Sequence, residues 1–569
     1  MFMKLYYFAF RLVLYTFIFL GISNSSYSKI LNFNQDAKNI SNYFSGTISF
    51  DDFDYLNAKK FLNNVGDFPN NNERLSSMLI QSLINLEKYN DAYSYSKKLE
   101  KKNLSNFESN LVQGLSEFKN KNYSKARSYF DKLDPTFEHQ LIFNPLKISL
   151  INWSDISDSS NKQNIDLIKS MPSNYGSFKF VQEAFAHCYF DAPNAEKKFG
   201  NIIKNERDRF YRYNFFFANY LIRKGKHEEA EAVINLTTEK FPRNLLINQL
   251  GETVRNKEKN KNEFTCEKPQ HILAEIFYAF ANALSGQRNY KLSNFYINLA
   301  KYLNPNFLSY NALLAENLVM LKKYDQARKI YEKLFDAGSF YKWHSSKEVA
   351  LILEVQDKKK ESIKFLSKAY KSIDVSLYRT FDLANFLRGH EKYEESIKLY
   401  SEILSKINED HTLYPKVLDR RGTAYERIGN WELAEKDLLL SLKIRPDQAY
   451  TINYLAYSWI EKDKNTNRAL VMLKKANNLK KNDGYITDSL GWALYKLKNF
   501  SEARIYLERA IKIMPDDPIV NDHFADCLWM NNKKIQARYY WEYVLTLEDT
   551  EKELRQKIEN KLLFGLEKS

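Results

Sequence analysis

Small and large apolar residues recur along this chain at a spacing that predicts pairs of short helices. Gly46, Ile80 and Gly114 lie 34 residues apart, and an alanine follows each of them after twelve residues. Further pairs with this step are Ala218/Ala230, Ala281/Ser293, Ala315/Ala327, Ala350/Ser362, Ala384/Ser396, Gly422/Ala434, Gly491/Ala503, Ala525/Ala537 and, after thirteen residues, Ala456/Ala469. Two helices joined by a tight turn approach closely only where small residues face each other. The spacing therefore predicts an array of helix-turn-helix units, with degenerate units near Ser149 and Ala184.

The unit from Asp488 to Pro515 shows this pattern most completely. Its inner positions are Leu490, Gly491, Ala503, Leu507 and Ala510, with a turn at Lys498-Asn499 and a proline at the end of the second helix. The order of these residues resembles the tetratricopeptide repeat (TPR) family. This resemblance implies an all-α fold, a right-handed superhelical solenoid of about 12–14 repeats with a C-terminal capping helix. Residues Asp483–Trp492, Pro518–His523 and Tyr540–Glu542 further resemble the C-terminal end of large exported TPR proteins of alphaproteobacteria, which have no assigned activity.

Residues 1–28 have the features of a secretory signal. Lys4 and Arg11 come before or at the start of an apolar run from Leu12 to Ile22, and Ser26 and Ser28 offer small residues around a cleavable bond. The run is about half as long as the ~20 residues that span a bilayer, so an uncleaved anchor is the alternative interpretation. The sequence therefore predicts a periplasmic (exported) protein, with an inner-membrane anchor and proximity to the membrane if the segment is retained.

One irregular stretch and a final helix complete the predicted organisation. Residues 255–270 are polar, rich in Lys and Asn, and without periodicity, which predicts a loop between an N-terminal arm (29–254) and a C-terminal arm (271–549). Residues 550–569 predict the capping helix. The apolar positions at helical spacing within it are Leu554, Ile558, Leu562 and Leu563.

Composition fits a soluble helical protein. Only 16 Gly and 12 Pro occur in 569 residues, which is few for the turns of sandwiches, barrels and Rossmann sheets. The net charge of +15 is compatible with a nucleic-acid or anionic-membrane surface. Lys is enriched together with Asn, Ile, Tyr and Phe, all of which have A+T-rich codons, so a biased genome is the simpler explanation. We therefore predict no nucleic-acid partner.

Cys188, Cys266 and Cys527 are too sparse for a disulfide framework and lack metal-ligand spacing. One disulfide between two of them remains open. For Cys188 and Cys527, which lie in apolar helix-like stretches, the favoured interpretation is a small buried hydrophobic residue.

Motifs for catalysis or cofactor binding do not appear in the sequence. His227-Glu228 and His390-Glu391 each lack the second histidine of a zinc-binding helix. Gly225-Lys226-His227 lacks the second glycine and the hydroxyl of a phosphate-binding loop. We predict no catalytic residue, no metal, no cofactor and no enzymatic activity.

The predicted partner-binding site is a groove formed by the first helices of the last repeats. Aromatic side chains there supply stiff contact area, and the carboxylates beside them favour a cationic or hydrogen-bond-donating ligand. The alternative for each tryptophan is packing between neighbouring helices. For the histidine, a hydrogen-bonded groove residue is favoured over a ligand or proton-transfer group. The candidate residues are Tyr450, Asn453, Tyr454, Tyr457, Asp488, Trp492, Tyr495, Asp522, His523, Asp526 and Trp529.

These features favour a non-enzymatic scaffold or adaptor of the bacterial cell envelope that binds a protein or peptide segment in this groove. Because aromatic rings beside carboxylates also hold sugars, a glycan- or peptidoglycan-binding envelope protein is the alternative. A third hypothesis is an enzyme whose site is assembled across repeats, which would require a deep pocket with titratable groups of shifted pKa.

Overall fold

Helices make up nearly all of the regular secondary structure in the part of the chain that the structure describes. The computed structural model describes residues 33–65, 72–136, 138–158, 165–169, 171–172, 175–204, 211–258, 260–374 and 376–566. Within these ranges the one extended pairing is an isolated antiparallel bridge between Asn262 and Phe307. The signal predicted for residues 1–28 lies outside the described residues. No helix within the described ranges is both long enough and apolar enough to cross a membrane.

The chain divides into two compact units between Ile352 and Leu353. The helices of the N-terminal unit are α1 (Phe33–Asp51), α2 (Tyr55–Asn63), α3 (Glu73–Asn85), α4 (Tyr89–Lys101), α5 (Phe107–Lys119), α6 (Tyr123–Asp131), α7 (Phe143–Ser157), α8 (Asp166–Lys169), α9 (Gly176–Tyr189), α10 (Ala195–Lys204), α11 (Tyr211–Arg223), α12 (His227–Lys240), α13 (Leu245–Arg255), α14 (Pro269–Gly286), α15 (Tyr290–Leu303), α16 (Tyr310–Met320), α17 (Tyr324–Lys333) and α18 (Ser339–Val355), whose last turn enters the second unit.

The C-terminal unit continues the same alternation of first and second helices. Its helices are α19 (Lys359–Lys371), α20 (Leu377–Gly389), α21 (Tyr393–Leu404), α22 (Tyr414–Arg427), α23 (Trp431–Ile444), α24 (Ala449–Glu461), α25 (Thr466–Leu479), α26 (Gly484–Lys496), α27 (Phe500–Ile513), α28 (Pro518–Met530), α29 (Lys534–Thr546) and α30 (Lys552–Phe564). The predicted all-α array of helix pairs is confirmed. Each pair of small residues in the twelve-residue spacing falls on a first helix and the second helix that follows it.

Tight turns between paired helices depend on one residue in the left-handed region of backbone space. Gly225 (φ 76°) and Gly429 (φ 82°) occupy this position in two turns, while Lys121 (φ 65°) and Lys498 (φ 63°) occupy it in two others. Residues other than glycine rarely adopt this backbone conformation. The lysines occupy it because packing of the flanking helices determines the turn, which explains why few glycines are present.

Glycines on the first helices lie against a large apolar residue of the second helix. A Cβ atom at Gly114 would lie 2.3 Å from Phe130 Cε1, and one at Gly491 would lie 2.6 Å from Leu507 Cγ. In both pairs the large residue follows the glycine by sixteen positions. The small residues of the repeat pattern are therefore required by the close approach of the helices.

Replacing Gly491 by alanine is expected to destabilise the C-terminal unit by about 2 kcal/mol, because Leu507 and its helix must move to accommodate the new methyl group. Gly389→Ala provides a matched control, since nothing lies within 4 Å of its Cβ position at the end of α20. The control should be neutral or slightly stabilising. Denaturant unfolding of both variants measures the difference, and equal stabilities would contradict the packing argument.

The sequence predicts a boundary between two arms at residues 255–270. In the structure the two units divide much later, after Ile352. Most of the stretch 255–270 is a loop, but Phe264 and Cys266 are 4% and 3% exposed. Cys266 forms a disulfide with Cys188, whose Cα atom is 5.8 Å away. The interpretation of Cys188 as an unbonded hydrophobic residue is therefore wrong, whereas Cys527 is a free, buried cysteine as expected. The disulfide and the two buried side chains place this loop inside the N-terminal unit.

Helix α15 connects distant parts of the N-terminal unit. The Asn298 side chain donates a hydrogen bond to Asn85 Oδ1 at 3.1 Å, and Tyr89 donates to the Asn298 carbonyl at 3.0 Å. Lys301 forms an ion pair with Glu87 at 2.6 Å. These residues belong to the first described repeats, so α15 closes the unit across more than 200 residues of sequence.

Helix α30 lies at the end of the C-terminal unit, where the capping helix is predicted. Ile558 is fully buried, and Leu554 and Leu562 pack against the same apolar cluster as the last repeat. Leu563, which the periodicity assigns to the same face, is 71% exposed. The apolar face of α30 is therefore narrower than the sequence predicts.

Candidate functional site

The predicted partner-binding residues lie on α24, α26 and α28, three first helices of the C-terminal unit that contact one another in order. Their side chains differ in exposure: Tyr450 is 59% exposed, whereas Asp488 is 5% exposed. We define the first-helix surface as the side of the unit formed by Tyr450, Asn453, Tyr454, Tyr457, Asp488, Trp492 and Tyr495. Apart from Tyr450 and Asp488, these residues are partly exposed.

Hydrogen bonds between successive first helices hold two of the aromatic side chains in place. Tyr454 donates its hydroxyl to Glu426 Oε2 at 2.8 Å, which joins α24 to α22. Trp492 donates its indole N–H to Glu461 Oε1 at 2.6 Å, which joins α26 to α24. Both glutamates lie in the last turn of a first helix, and sequence reasoning missed them. An acid at the end of one first helix and an aromatic in the next was the available signal.

Trp492 also packs against two other rings. Its centroid lies 4.7 Å from that of Tyr495, with an interplanar angle of 9°, and 3.8 Å from that of His523, with an angle of 12°. The expectation of packing between neighbouring helices therefore describes part of the Trp492 environment, while the residue remains partly exposed on the first-helix surface.

The side chain of His523, which lies on α28, forms a hydrogen bond to α26. Its Nδ1 is 2.9 Å from Asp488 Oδ2, and its side chain is 8% exposed. Burial lowers the pKa of His523, but Asp488, Asp522 and Asp526 outweigh burial, so the pKa is raised above its ordinary value. Asp488 of α26 is therefore the hydrogen-bond partner of His523. The other Asp488 oxygen has no hydrogen-bond partner among the described residues.

Lys561 of α30 covers the last two acidic residues of the predicted groove. Its Nζ lies 2.6 Å from Asp522 Oδ1 and 2.8 Å from both carboxylate oxygens of Asp526. The indole N–H of Trp541 donates a further hydrogen bond to Asp526 at 3.0 Å. We refer to Asp522, Asp526 and Lys561 as the cap cluster. Burial and the neighbouring Asp522 raise the pKa of Asp526 to about 6, although Lys561 opposes this shift.

Trp529 lies beneath the end of α30. A Cβ atom on Gly565 would lie 2.3 Å from its ring. Its ring centroid is 5.2 Å from that of Trp541. The capping helix therefore contacts Trp529, Asp522 and Asp526, and the first-helix surface of α24 and α26 is the part that it leaves uncovered.

One group of side chains in the N-terminal unit has suitable spacing for a metal ion. Ligand atoms of Glu108, Glu138 and His139 lie within 4.8 Å of one another. Both ring nitrogens of His139 already have neighbours, Glu108 Oε1 at 3.3 Å and the Tyr296 hydroxyl at 2.7 Å. Phe107 stacks on the same ring at 4.0 Å. These contacts describe a hydrogen-bonded junction between α5 and α15.

The match to a known family lies mainly in the second half of the sequence. Residues 297–550 match a family model described as a tetratricopeptide repeat. No curated protein matches the chain.

Solved structures share helical segments with it at low identity. A tetratricopeptide repeat protein from Parabacteroides merdae is 19% identical, with 39% of this chain and 87% of that chain covered and a TM-score of 0.32. A thermophilic TPR protein from Thermus thermophilus is 16% identical over 33% and 100% of the chains, with a TM-score of 0.29. A chain of the APC/C hetero-tetramer Cut9-Hcn1 is 13% identical over 93% and 96%, with a TM-score of 0.39.

Proposed function

Because residues 297–550 match the tetratricopeptide repeat family, a class that serves as a protein-interaction scaffold, we propose that this chain binds a segment of a partner protein on its first-helix surface. In this proposal it acts as a non-enzymatic adaptor of the bacterial cell envelope. The observation that carries this proposal is the set of partly exposed aromatic side chains on α24 and α26, held by hydrogen bonds to Glu426 and Glu461. Aromatic residues in fixed orientations provide contact area with little loss of side-chain entropy on binding.

The polar groups of the surface favour a partner segment rich in hydrogen-bond donors. Asn453 Oδ1 and Asp488 Oδ1, on adjacent first helices, have no hydrogen-bond partner among the described residues. An unpaired buried acceptor costs free energy, which a donor from a partner or from water would recover. The carboxylates of Glu426 on α22 and Glu461 on α24 add negative charge to this side of the unit. A segment with backbone or side-chain N–H groups and basic residues fits this surface better than an acidic one.

Two observations support a location in the envelope. The N-terminal sequence has the composition of an export signal. The disulfide between Cys188 and Cys266 joins two buried sulfurs, and structural disulfides persist mainly in oxidising compartments such as the bacterial periplasm. Both fit an exported protein that folds after translocation.

A photo-crosslinking amino acid at Tyr450 is expected to form one discrete adduct with an envelope protein in living cells. The matched control is the same amino acid at Ile505, which lies on the second helix α27 and is 63% exposed, close to the 59% of Tyr450. In a Tyr457→Ala/Tyr495→Ala background the Tyr450 adduct should fall at least ~10-fold, because truncation of central aromatic contacts removes much of the binding free energy. Equal adducts from both positions, or an adduct indifferent to the double variant, would refute the proposed surface.

The same experiment separates a protein partner from the glycan alternative. Both stacking contacts of Trp492, with Tyr495 and His523, occupy ring area that a sugar would require. Soluble muropeptides should therefore leave the adduct unchanged. Loss of the adduct in their presence would favour glycan binding.

A further inference from the structure

A cavity in the N-terminal unit combines aromatic walls with charged groups of both signs. It has a volume of about 540 Å³, within the range of small-ligand sites. It is bounded by the first turns of α11, α13 and α16, the middle of α14, and the start of α18. It lies within one unit and involves no residue of the first-helix surface.

Glu275, the first acidic residue of the cavity, already has a basic partner. Arg212 donates from Nε to Glu275 Oε1 at 2.6 Å and from Nη2 to Glu275 Oε2 at 2.9 Å. The same guanidinium lies 3.8 Å from the centroid of the Tyr278 ring. This bidentate pair leaves little net charge to attract a ligand.

The remaining basic and N–H groups around the cavity are engaged as well. Arg243, exposed at the rim, has an interaction of its own. At the N-terminus of α13, the Asn244 side chain accepts hydrogen bonds from the backbone N–H groups of Leu246 and Ile247. The features that attract anions are therefore occupied.

Glu316 is the acidic residue of the cavity that lacks a basic partner among the described residues. The nearest candidate, His344 Nε2, lies 3.8 Å from Glu316 Oε1. Burial and, to a smaller extent, the positive charge of Lys347 lower the pKa of His344 to about 4. The ring is therefore neutral at pH 7 and brings no positive charge. Desolvation by the surrounding side chains and, second, the charge of Glu348 raise the pKa of Glu316 to about 7, although 50% of its side chain is exposed. A cation next to Glu316 would relieve the unfavourable field of both carboxylates.

A second polar group, the Ser309 hydroxyl, also lines the cavity. Ser309 is 5% exposed, and its hydroxyl interacts with the hydroxyl of Tyr341, another residue of the cavity lining. It lies at the start of α16, the helix that carries Glu316, and does not cap that helix. Together with the exposed ring of Tyr211 and the partly exposed ring of Tyr278, it gives the cavity next to Glu316 a polar and aromatic lining.

We propose that this cavity binds a basic side chain of a peptide, the ammonium of lysine or the guanidinium of arginine, with Glu316 as its counter-ion. The tyrosine rings pack along the aliphatic stem of the side chain, and its charged end pairs with the half-exposed carboxylate of Glu316. This would be a second binding site, separate from the first-helix surface, and its test is independent of the proposed function.

Binding of Nα-acetyl-lysine amide, whose side-chain ammonium is free, to the full chain tests the proposal directly. N-acetyl-norleucine amide has the same stem without the charge and serves as the neutral probe. At about pH 8 the lysine probe should bind at least ~10-fold more tightly than the norleucine probe by saturation-transfer NMR. The Glu316→Gln variant should reduce its affinity to that of norleucine. Glu332→Gln, which removes an exposed carboxylate on α17 outside the cavity, should change nothing.

Lowering the pH provides a second readout. Glu316 faces Tyr278 of α14, Tyr331 of α17, and His344 and Glu348 of α18. Glu316 gains a proton between about pH 8 and pH 6, so the lysine probe should lose affinity over this range while the norleucine probe does not. Ala279→Phe fills the cavity without removing charge and should also abolish binding. Equal affinities for the two probes, unchanged binding to Glu316→Gln, or tighter binding of N-acetyl-glutamate amide would overturn the proposal.

Discussion

The protein with both Cys188 and Cys266 replaced by alanine is expected to lose about 4 kcal/mol of stability in its N-terminal unit. The disulfide closes a loop between residues 78 positions apart, and a crosslink of this span restricts the unfolded chain strongly. It also fixes the end of α9 against the segment that enters α14, so α10 to α13 lie within the closed loop. Hydrogen–deuterium exchange of both forms measures where protection is lost.

Reducing agent provides the control for this prediction. The natural protein should lose the same protection in α10 to α13 on reduction, whereas the double variant should not respond further. Cys527→Ala, which changes a free buried thiol in the C-terminal unit, should remain as sensitive to reductant as the natural protein. A double variant with unchanged exchange in the N-terminal unit would show that helix packing alone holds this region.

Replacing Lys561 by methionine is expected to destabilise the C-terminal unit by about 3 kcal/mol near neutral pH. The ammonium is 18% exposed and lies between carboxylates that are 11% and 7% exposed. Removing it leaves Asp522 and Asp526 buried next to each other without a counter-ion, a loss typical of broken buried ion pairs. Lys557→Met is the matched control, since this lysine lies on the same helix and is exposed. Urea denaturation of the two variants measures the difference.

The pH dependence of the Lys561→Met variant has a definite sign. Burial and Asp522 already raise the pKa of Asp526 to about 6 in the presence of Lys561, above its value in an unfolded chain. The folded state therefore binds this proton more tightly, and stability should increase as the pH falls from about 7 to about 4. Adding Asp526→Asn should recover part of the loss at neutral pH. A Lys561→Met protein as stable as Lys557→Met would contradict a stabilising role of the cap cluster.

The repeat pattern predicted the helices well because helix pairing is a local property of the sequence. Gly114 meets Phe130 and Gly491 meets Leu507 through contacts within one helix pair, so a fixed spacing records them. The positions of the aromatic and acidic residues on α24 and α26 could be predicted in the same way. The position of a residue on a first helix follows from the register of the repeat.

Contacts between distant repeats were beyond this pattern. Arg212 and Glu275 are separated by 63 residues, and Asp522 and Lys561 by 39 residues outside the regular spacing. The pairing of Cys188 with Cys266 and the binding of α15 to the first described repeats have no periodic signal either. The loop at 255–270 was polar enough to suggest a boundary, yet Phe264 and Cys266 are buried within it.

The long-range contacts of helix α15 also imply that the two units fold at different rates. In the C-terminal unit most contacts join neighbouring helices, so each repeat can add to the one before it within microseconds to milliseconds, as in other arrays of local contacts. The N-terminal unit includes hydrogen bonds between residues 209 and 213 positions apart. Closing so large a loop slows folding. Because the chain is synthesised from its N-terminus, the last contacts of the first described repeats cannot form until Lys301 has been added. Refolding should therefore proceed in two phases, with the C-terminal unit complete first.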